Sequence, residues 1–309
     1  MSILFSNFFQ KINEISPLEA DFTEVLESIA VKPKMLYFYG KMPENRLKSG
    51  CKRATERPKS IAIVGSRKPT KYGENIAYKL AYEAAKRGAV VVSGLAYGID
   101  SVAHRGALDA GGVTVAVLGT PIDQVYPKTH IGLAEKIVAS GGCVMSELAP
   151  GVEFYPKTSF LQRNRLISGL SDVVVIPEAA ERSGSLNTAA HALEQGREVF
   201  AVPADITRPL SMGCNRLIRQ GATPMLGIND VLDVLFPPKR QAKTRQSSLP
   251  FGDSPEETVV LQLLAAGVQE GEQIIQHTSL TVAQFNQIMT LLEIRNRVVA
   301  LGANRWTLR

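Results

Sequence analysis

Residues 61–67, IAIVGSR, and residues 89–100, AVVVSGLAYGID, decide the fold. Each opens as a run of β-branched and small apolar residues and ends in a glycine-bearing turn, Gly65–Ser66–Arg67 in the first and Gly94 through Gly98 in the second. Between them Ile76, Ala77, Leu80, Ala81, Ala84 and Ala85 form one apolar stripe of helical period, stopped by Gly88. This is a strand–helix–strand unit. Its two turns belong at the carboxyl edge of a parallel sheet, where backbone N–H groups and helix amino-termini favour phosphate. Arg67 adds a guanidinium that can fork onto two phosphate oxygens.

Working outward, strands and helices alternate from Ser60 to Phe236. The pattern predicts strands at 61–65, 89–93, 113–119, 143–147, 172–177 and 198–203, with a weaker one at 223–226. Near-continuous apolar runs such as VVVIP imply burial on both faces. The expected fold class is therefore α/β, a Rossmann-like parallel sheet sandwiched by helices. Residues 1–59 read as a lead-in, with a short helix near 22–29 and a strand at MLYFYG. Residues 237–254, PPKRQAKTRQSSLPFGDS, read as a flexible basic linker. Residues 255–309 predict helices at 256–266 and 270–277, a third capped by Thr281, then a hairpin turning at Gly302, Ala303 and Asn304. That is winged-helix order, with Leu261, Leu264, Ile274, Phe285, Ile288, Leu291, Leu292 and Val298 as its expected core.

The chain has 309 residues, a formal net charge of +6 and 45% hydrophobic residues. A basic balance is compatible with a polyanionic partner and is also ordinary for a soluble protein. The three cysteines, Cys51, Cys143 and Cys214, are widely spaced and form no C-x-x-C pair, so neither a zinc site nor a disulfide framework is indicated. A reducing cytoplasm fits. The first residues carry no basic lead or cleavage site, and no apolar stretch approaches the roughly 20 residues that span a bilayer.

The ordered motifs VGSR, SGLAYGIDSVAHRGAL, TVAVLG with downstream YP, SELAPG, RNRLISGLSDVVVIPEA, SGSLNTAAHALEQGREVFAVP and NRLIRQGA resemble the DprA/Smf family of DNA-processing proteins. The resemblance covers nearly all of residues 60–235, and the carboxyl-terminal unit is similar to the winged-helix module of many members. The lead-in is too short for the amino-terminal helical domain of longer members. The resemblance implies single-stranded DNA binding without strong sequence preference, protection of incoming strands in natural transformation, help in loading a RecA-type recombinase, and a homodimer. It implies no enzyme activity and no cofactor.

Arg67 matches the family's strand-binding arginine, with a salt-bridged surface arginine as the alternative. Lys128, after Tyr126 and Pro127, matches a DNA-contacting lysine or is simply solvated. Gly94 and Gly98 either let backbone approach a phosphate or serve a tight turn. Arg163, Asn164 and Arg165 are expected to open a helix, where a cation is unfavourable unless an anion is near; pairing with Glu147 or Glu178 is the alternative. Ser183, Gly184, Ser185 and Thr188 form a further hydroxyl-rich turn, which either accepts a phosphate through Ser185 and backbone amides or serves as a helix cap. With Gly65 and Ser66 these, Thr188 apart, make the expected DNA-binding set. Asp100 and His104, four apart, are expected to brace the glycine turn through a mutual hydrogen bond. Tyr97 and Tyr126 are candidates for base stacking or for packing against their loops. Pro121, Ala204 and the missing proline in SFLQRNR depart from the family pattern. Two rival readings are a nucleotide-sensing protein and a phosphoribohydrolase-like enzyme. The second lacks its expected glutamate, since Ala189, Ala190 and His191 follow Thr188. No catalytic triad or metal cluster is apparent.

Overall fold

The structure is a computed structural model that describes residues 11–44, 57–237, 252–278 and 280–308. Cys51 and nearly all of the expected linker, residues 238–251, lie outside the described residues. The chain forms two compact units, Met1–Pro237 and Pro238–Arg309.

The first unit runs β1 (Asn13–Ile15), α1 (Asp21–Glu24), β2 (Leu36–Gly40), β3 (Ser60–Ile63), α2 (Lys71–Lys86), β4 (Val90–Ser93), α3 (Ile99–Asp109), β5 (Thr114–Val117), α4 (Ile131–Ala139), β6 (Cys143–Ser146), α5 (Pro156–Gly169), β7 (Val173–Ile176), α6 (Ser185–Glu194), β8 (Glu198–Ala201), α7 (Met212–Arg219), β9 (Thr223–Pro224) and α8 (Ile228–Leu235). One sheet takes the order β1-β2-β6-β5-β4-β3-β7-β8-β9. From β3 to β9 it is parallel, as the apolar runs required. The lead-in joins this sheet: β2 pairs antiparallel with β6, and β1 with β2. The sheet is thus bordered by strands of three and two residues, β1 and β9.

Period-two alternation sorts the strands onto two helical layers. Ile61, Ile63, Val173 and Val175 pack with Ala77, Leu80, Ala81 and Ala84 of α2, with Ile99 and Ala103 of α3, and with Val231 and Leu232 of α8. Ala62, Val64, Val174 and Ile176 face the other way, onto Leu166 and Ile167 of α5, Ala189 of α6, Cys214 of α7 and the lead-in residues Phe22 and Leu26. Each such valine, leucine, isoleucine or phenylalanine side chain, fully removed from water, contributes on the order of 1.5–3 kcal/mol. Helix α2 begins where Thr70 accepts the Gly73 N–H at 3.3 Å and stops near Gly88, which takes a φ of 93° open only to glycine at little cost.

Strand order reverses about β3. The chain leaves β3 toward β4 on one side and leaves β7 toward β8 on the other. The loops that follow β3 and β7 therefore diverge and open a crevice at the carboxyl end of the sheet, where ligands of such folds bind.

His104 and Asp100 do not bond to each other as the sequence suggested. His104 is fully buried, with Nδ1 2.7 Å from Thr114 Oγ1. The Thr114 hydroxyl donates to the Val91 carbonyl at 2.7 Å, so Nδ1–H is the donor to Thr114 and Nε2, which has no partner among the described residues, is unprotonated. Burial first, then the nearby His130, Arg105 and Arg163, pulls the His104 pKa down to about 3. The unfolded chain keeps the ordinary value near 6.5 and takes up this proton first as pH falls. Stability is thus insensitive to this group above about pH 6.5 and falls below it by up to about 1.4 kcal/mol per pH unit. Urea unfolding between pH 7 and 5 is expected to show a shallower pH dependence in His104→Gln than in the parent; identical slopes contradict the assignment.

The second unit contains α9 (Pro255–Ala265), α10 (Gly271–His277), α11 (Val282–Ile294) and the hairpin β10 (Val298–Gly302) with β11 (Arg305–Leu308). Thr281 caps α11 as expected, in a reciprocal capping box with Gln284. The core holds the predicted residues except Leu291, which lies on the outer face at 36% exposure; Met289 is buried in that helix instead.

Candidate functional site

A cavity of about 770 Å³ fills the crevice at the strand reversal. The loop after β3 supplies Val64, Gly65 and Arg67, α5 supplies Lys157, Phe160, Arg163 and Asn164, and the loop after β7 supplies Arg182, Ser183 and Gly184. Four cations and one carboxylate, Asp100, line it. A smaller pocket continues it past Tyr97, Tyr126 and Pro127, sharing Arg67, Phe160 and Arg163.

Asp100, at the start of α3, ties the first two loops together. Its carboxylate accepts the Gly94 N–H at 3.0 Å and is also served by the amides of Gly65 and Ala96. Burial raises its pKa, while the Arg163 cation and these amides oppose the rise. Glu178 clamps the Arg67 loop from the β7 side. Its carboxylate accepts Thr70 N–H at 2.7 Å and the Thr70 hydroxyl at 2.8 Å, and its carbonyl accepts Ser66 N–H. Arg67 itself is exposed and makes no ion pair among the described residues; its guanidinium lies 5.9 Å from the Phe160 ring centroid. Arg163 lies at the same distance from that ring.

Arg163 differs from its expected place. Helix α5 starts at Pro156, so Arg163, Asn164 and Arg165 stand two turns in and do not open the helix. Arg163 is 7% exposed, and Nη1 donates to the Gly94 and Val117 carbonyls while Nε donates to Asn164 Oδ1. Burial lowers its pKa to about 10; Asp100 opposes this and neighbouring Arg67 adds to it. It stays charged at neutral pH, facing Arg67 across the same ring. Two cations held together with one buried carboxylate between the loops leave an excess of positive charge toward the cavity.

The other predicted residues separate cleanly. Gly65, Arg67, Arg163, Asn164, Ser183, Gly184 and Ser185 line the cavity, and Gly94 lines only the smaller pocket. Gly94 offers no free amide to a ligand: its N–H serves Asp100, and a Cβ there would meet the Arg163 guanidinium at 2.7 Å. Gly98 is likewise used by the protein, with a φ of 76° and the Ser66 carbonyl in the space of a Cβ. Ser66 is spent within its loop, accepting Lys68 N–H. Arg165 turns away from the cavity into a 2.7 Å ion pair with Glu147. Lys128 is exposed at the start of the short turn Lys128–His130 and lines neither pocket. That turn is pinned to the glycine loop, since His130 Nδ1–H donates to the Leu95 carbonyl and the Thr129 hydroxyl pairs with Tyr97, each at 2.8 Å.

Lys157, Phe160 and Arg182 were not singled out from sequence. The signal for the first two was Pro156, a residue suited to the first helical position. A helix counted from there puts Lys157, Phe160, Arg163 and Asn164 on one face. Tyr126 packs tilted against Phe160, with ring centroids 5.6 Å apart, and remains half exposed, as does Tyr97.

The profile of the DNA recombination-mediator protein A family matches residues 13–236, and that of the DprA winged helix domain matches residues 242–304. The chain is 39% identical over 227 residues to the DNA processing protein DprA of Bacillus subtilis, covering 73% of this chain and 72% of that protein. It is 40% identical to that of Streptococcus pneumoniae, covering 74% and 76%. The match to the putative DprA of Mycobacterium tuberculosis is 45% identical over 57% of this chain but spans only 45% of that relative's length. Among solved structures, the S. pneumoniae DprA aligns with a TM-score of 0.61 and 38% identity, covering 74% of this chain and 75% of the other. A Helicobacter pylori DprA, described for its single-stranded DNA binding mode, aligns with a TM-score of 0.61 and 30% identity, over 74% and 96%.

Proposed function

We infer a function from one premise: this chain belongs to the DNA recombination-mediator protein A family, the DprA/Smf proteins. It binds single-stranded DNA through the cavity at the strand reversal and acts on it without chemistry, as a protector and carrier of strands in transformation or recombination. The observation that carries this reading is the pair Arg67 and Arg163 over one aromatic ring in an opening lined also by Lys157 and Arg182. The cations attract phosphates, and Phe160 with the exposed Tyr126 offers faces to unstacked bases. A stiff duplex cannot bend its backbone into an opening of this kind. Among the described cavity residues no nucleophile, base and orienting group stand together, which supports binding over turnover.

Titration of labelled oligo(dT) is expected to give a log–log salt slope of about −0.7 for each phosphate neutralised. Blunt duplex of the same length is expected to bind at least about tenfold more weakly, a difference of about 1.4 kcal/mol; equal affinities count against the cavity as the site.

The same reading has the first unit form the homodimer, so that two cavities engage one strand and the second contact becomes intramolecular. A monomer mass in sedimentation equilibrium rules this out. It also has the chain deliver strands to a RecA-type recombinase, which fails if coated strands support filament growth no faster than bare ones. The reading divides the chain into the lead-in (1–59), the DNA-binding domain (60–236), a basic linker (237–254) and the winged helix (255–309). No helix among the described residues is long and apolar enough to cross a membrane.

A further inference from the structure

One wall of the cavity holds more hydrogen-bond donors than its own residues use. Thr188 lies one turn into α6, is 1% exposed and lines the cavity. A helical threonine ordinarily gives its hydroxyl to the carbonyl one turn earlier. Here that carbonyl, Gly184 C=O, already accepts the Asn164 amide at 3.3 Å and Asn187 N–H at 3.2 Å, and the Thr188 hydroxyl makes no hydrogen bond among the described residues. The hydroxyl oxygen is not fully occluded, so it opens to the cavity, where a ligand can take its hydrogen.

Its neighbours have the same surplus. Ser183 and Ser185 pair through their hydroxyls at 2.8 Å, and Ser183 Oγ also accepts Ser185 N–H at 3.3 Å. One of the two hydroxyl hydrogens is consumed in that pair and the other is not. Arg163 directs its bonds through Nε and Nη1, leaving Nη2 without one among the described residues. Arg182 is an exposed cation lining the same cavity. The one carboxylate among the described cavity residues, Asp100, is engaged by the backbone amides and Arg163. What remains able to donate is one hydroxyl of the Ser183–Ser185 pair, the Thr188 hydroxyl and Arg163 Nη2, and the Thr188 and Arg163 side chains are more than nine-tenths buried. A ligand that satisfies them carries several acceptor oxygens and negative charge.

We propose that this wall, at the amino-terminus of α6, is a subsite for a phosphomonoester, either the terminal phosphate of a strand or the phosphate of a free mononucleotide. A phosphodiester inside a strand brings two free oxygens and has chain leaving on both sides, which a wall of recessed donors cannot accommodate. A monoester brings three free oxygens on one attachment and a charge of about −1.5 to −2. The inference rests on the cavity being the strand-binding site when the source is a strand, and stands apart from it when the source is a mononucleotide.

The test uses the full chain and oligo(dT) of one length carrying a 5′ phosphate, a 3′ phosphate or neither, with dTMP and thymidine as competitors. One phosphorylated form is expected to bind about tenfold tighter than the unphosphorylated one, equivalent to one strong charge-assisted contact. Thr188→Val, close in shape, is expected to erase that difference without lowering the unfolding midpoint, because the lost hydroxyl was unpaired in the protein. If the oligonucleotides bind alike but dTMP competes and thymidine does not, and Thr188→Val abolishes the competition, the source is the free nucleotide. If no oligonucleotide binds, the strand-binding reading fails, and direct calorimetric titration of dTMP against thymidine, with the parent and Thr188→Val, decides this one. Equal binding of all three oligonucleotides with no effect of dTMP, or an end preference that survives in Thr188→Val, overturns the proposal.

Discussion

Arg67→Glu is expected to weaken binding of oligo(dT) by about 100-fold at moderate salt, the equivalent of roughly 3 kcal/mol. A guanidinium–phosphate hydrogen bond is lost, and a carboxylate is then held against the same phosphate. The salt slope is expected to shrink by about 0.7 for the contact that disappears. The fold has little stake in this side chain. Arg67 is exposed, has no ion pair among the described residues and lies over the face of Phe160. Loss of that cation–aromatic contact, about 0.5–1 kcal/mol, moves the thermal midpoint by only about 2 °C. Fluorescence anisotropy paired with thermal unfolding separates the two effects. A melted variant with normal residual binding per folded molecule makes Arg67 a structural residue and removes it from the interface.

Arg163→Leu is expected to do the reverse and strike the fold first. The guanidinium supplies donors to two buried carbonyls, Gly94 and Val117, and neutralises Asp100 in the same interior. Removing it leaves those acceptors unpaired and a buried carboxylate without its cation, a loss of about 3–5 kcal/mol. For a unit of this size the midpoint falls by roughly 10 °C. The cause is checked by the partner: in an Asp100→Asn background the same substitution is expected to cost less, because no charge is stranded. Equal losses in both backgrounds exclude the Arg163–Asp100 couple as the source. The two arginines sit over one ring, yet one is a ligand-facing group and the other is first a strut that shapes the floor beneath it.

That contrast marks how far the sequence could be read. Strands β3 to β7 were legible because each is buried on both faces, so that runs such as residues 173–176 admit no other period. The crevice was legible in part, since Gly65, Arg67 and the serine turn sit at predicted strand ends. What was missed depends on distance in three dimensions. Gly94 reads as a phosphate-approach glycine in one dimension, and only the fold shows Arg163 filling its missing Cβ. Arg165 and Arg163 are two apart on a helix and so face different ways, one to Glu147 and one to the cavity. His104 finds Thr114, ten residues on, in place of Asp100, because the middle of α3 lies against the start of β5. Lys157 and Phe160 became visible only when the start of α5 was fixed at Pro156.

The termination of the sheet has its own consequence. A long bare border strand is a template on which another chain can zip, and here the borders are β1 and β9, three and two residues long. Neither has the reach to recruit a neighbour by main-chain pairing. The homodimer proposed above is therefore expected to be built from side chains on the helices, where a point substitution abolishes assembly and leaves the sheet untouched.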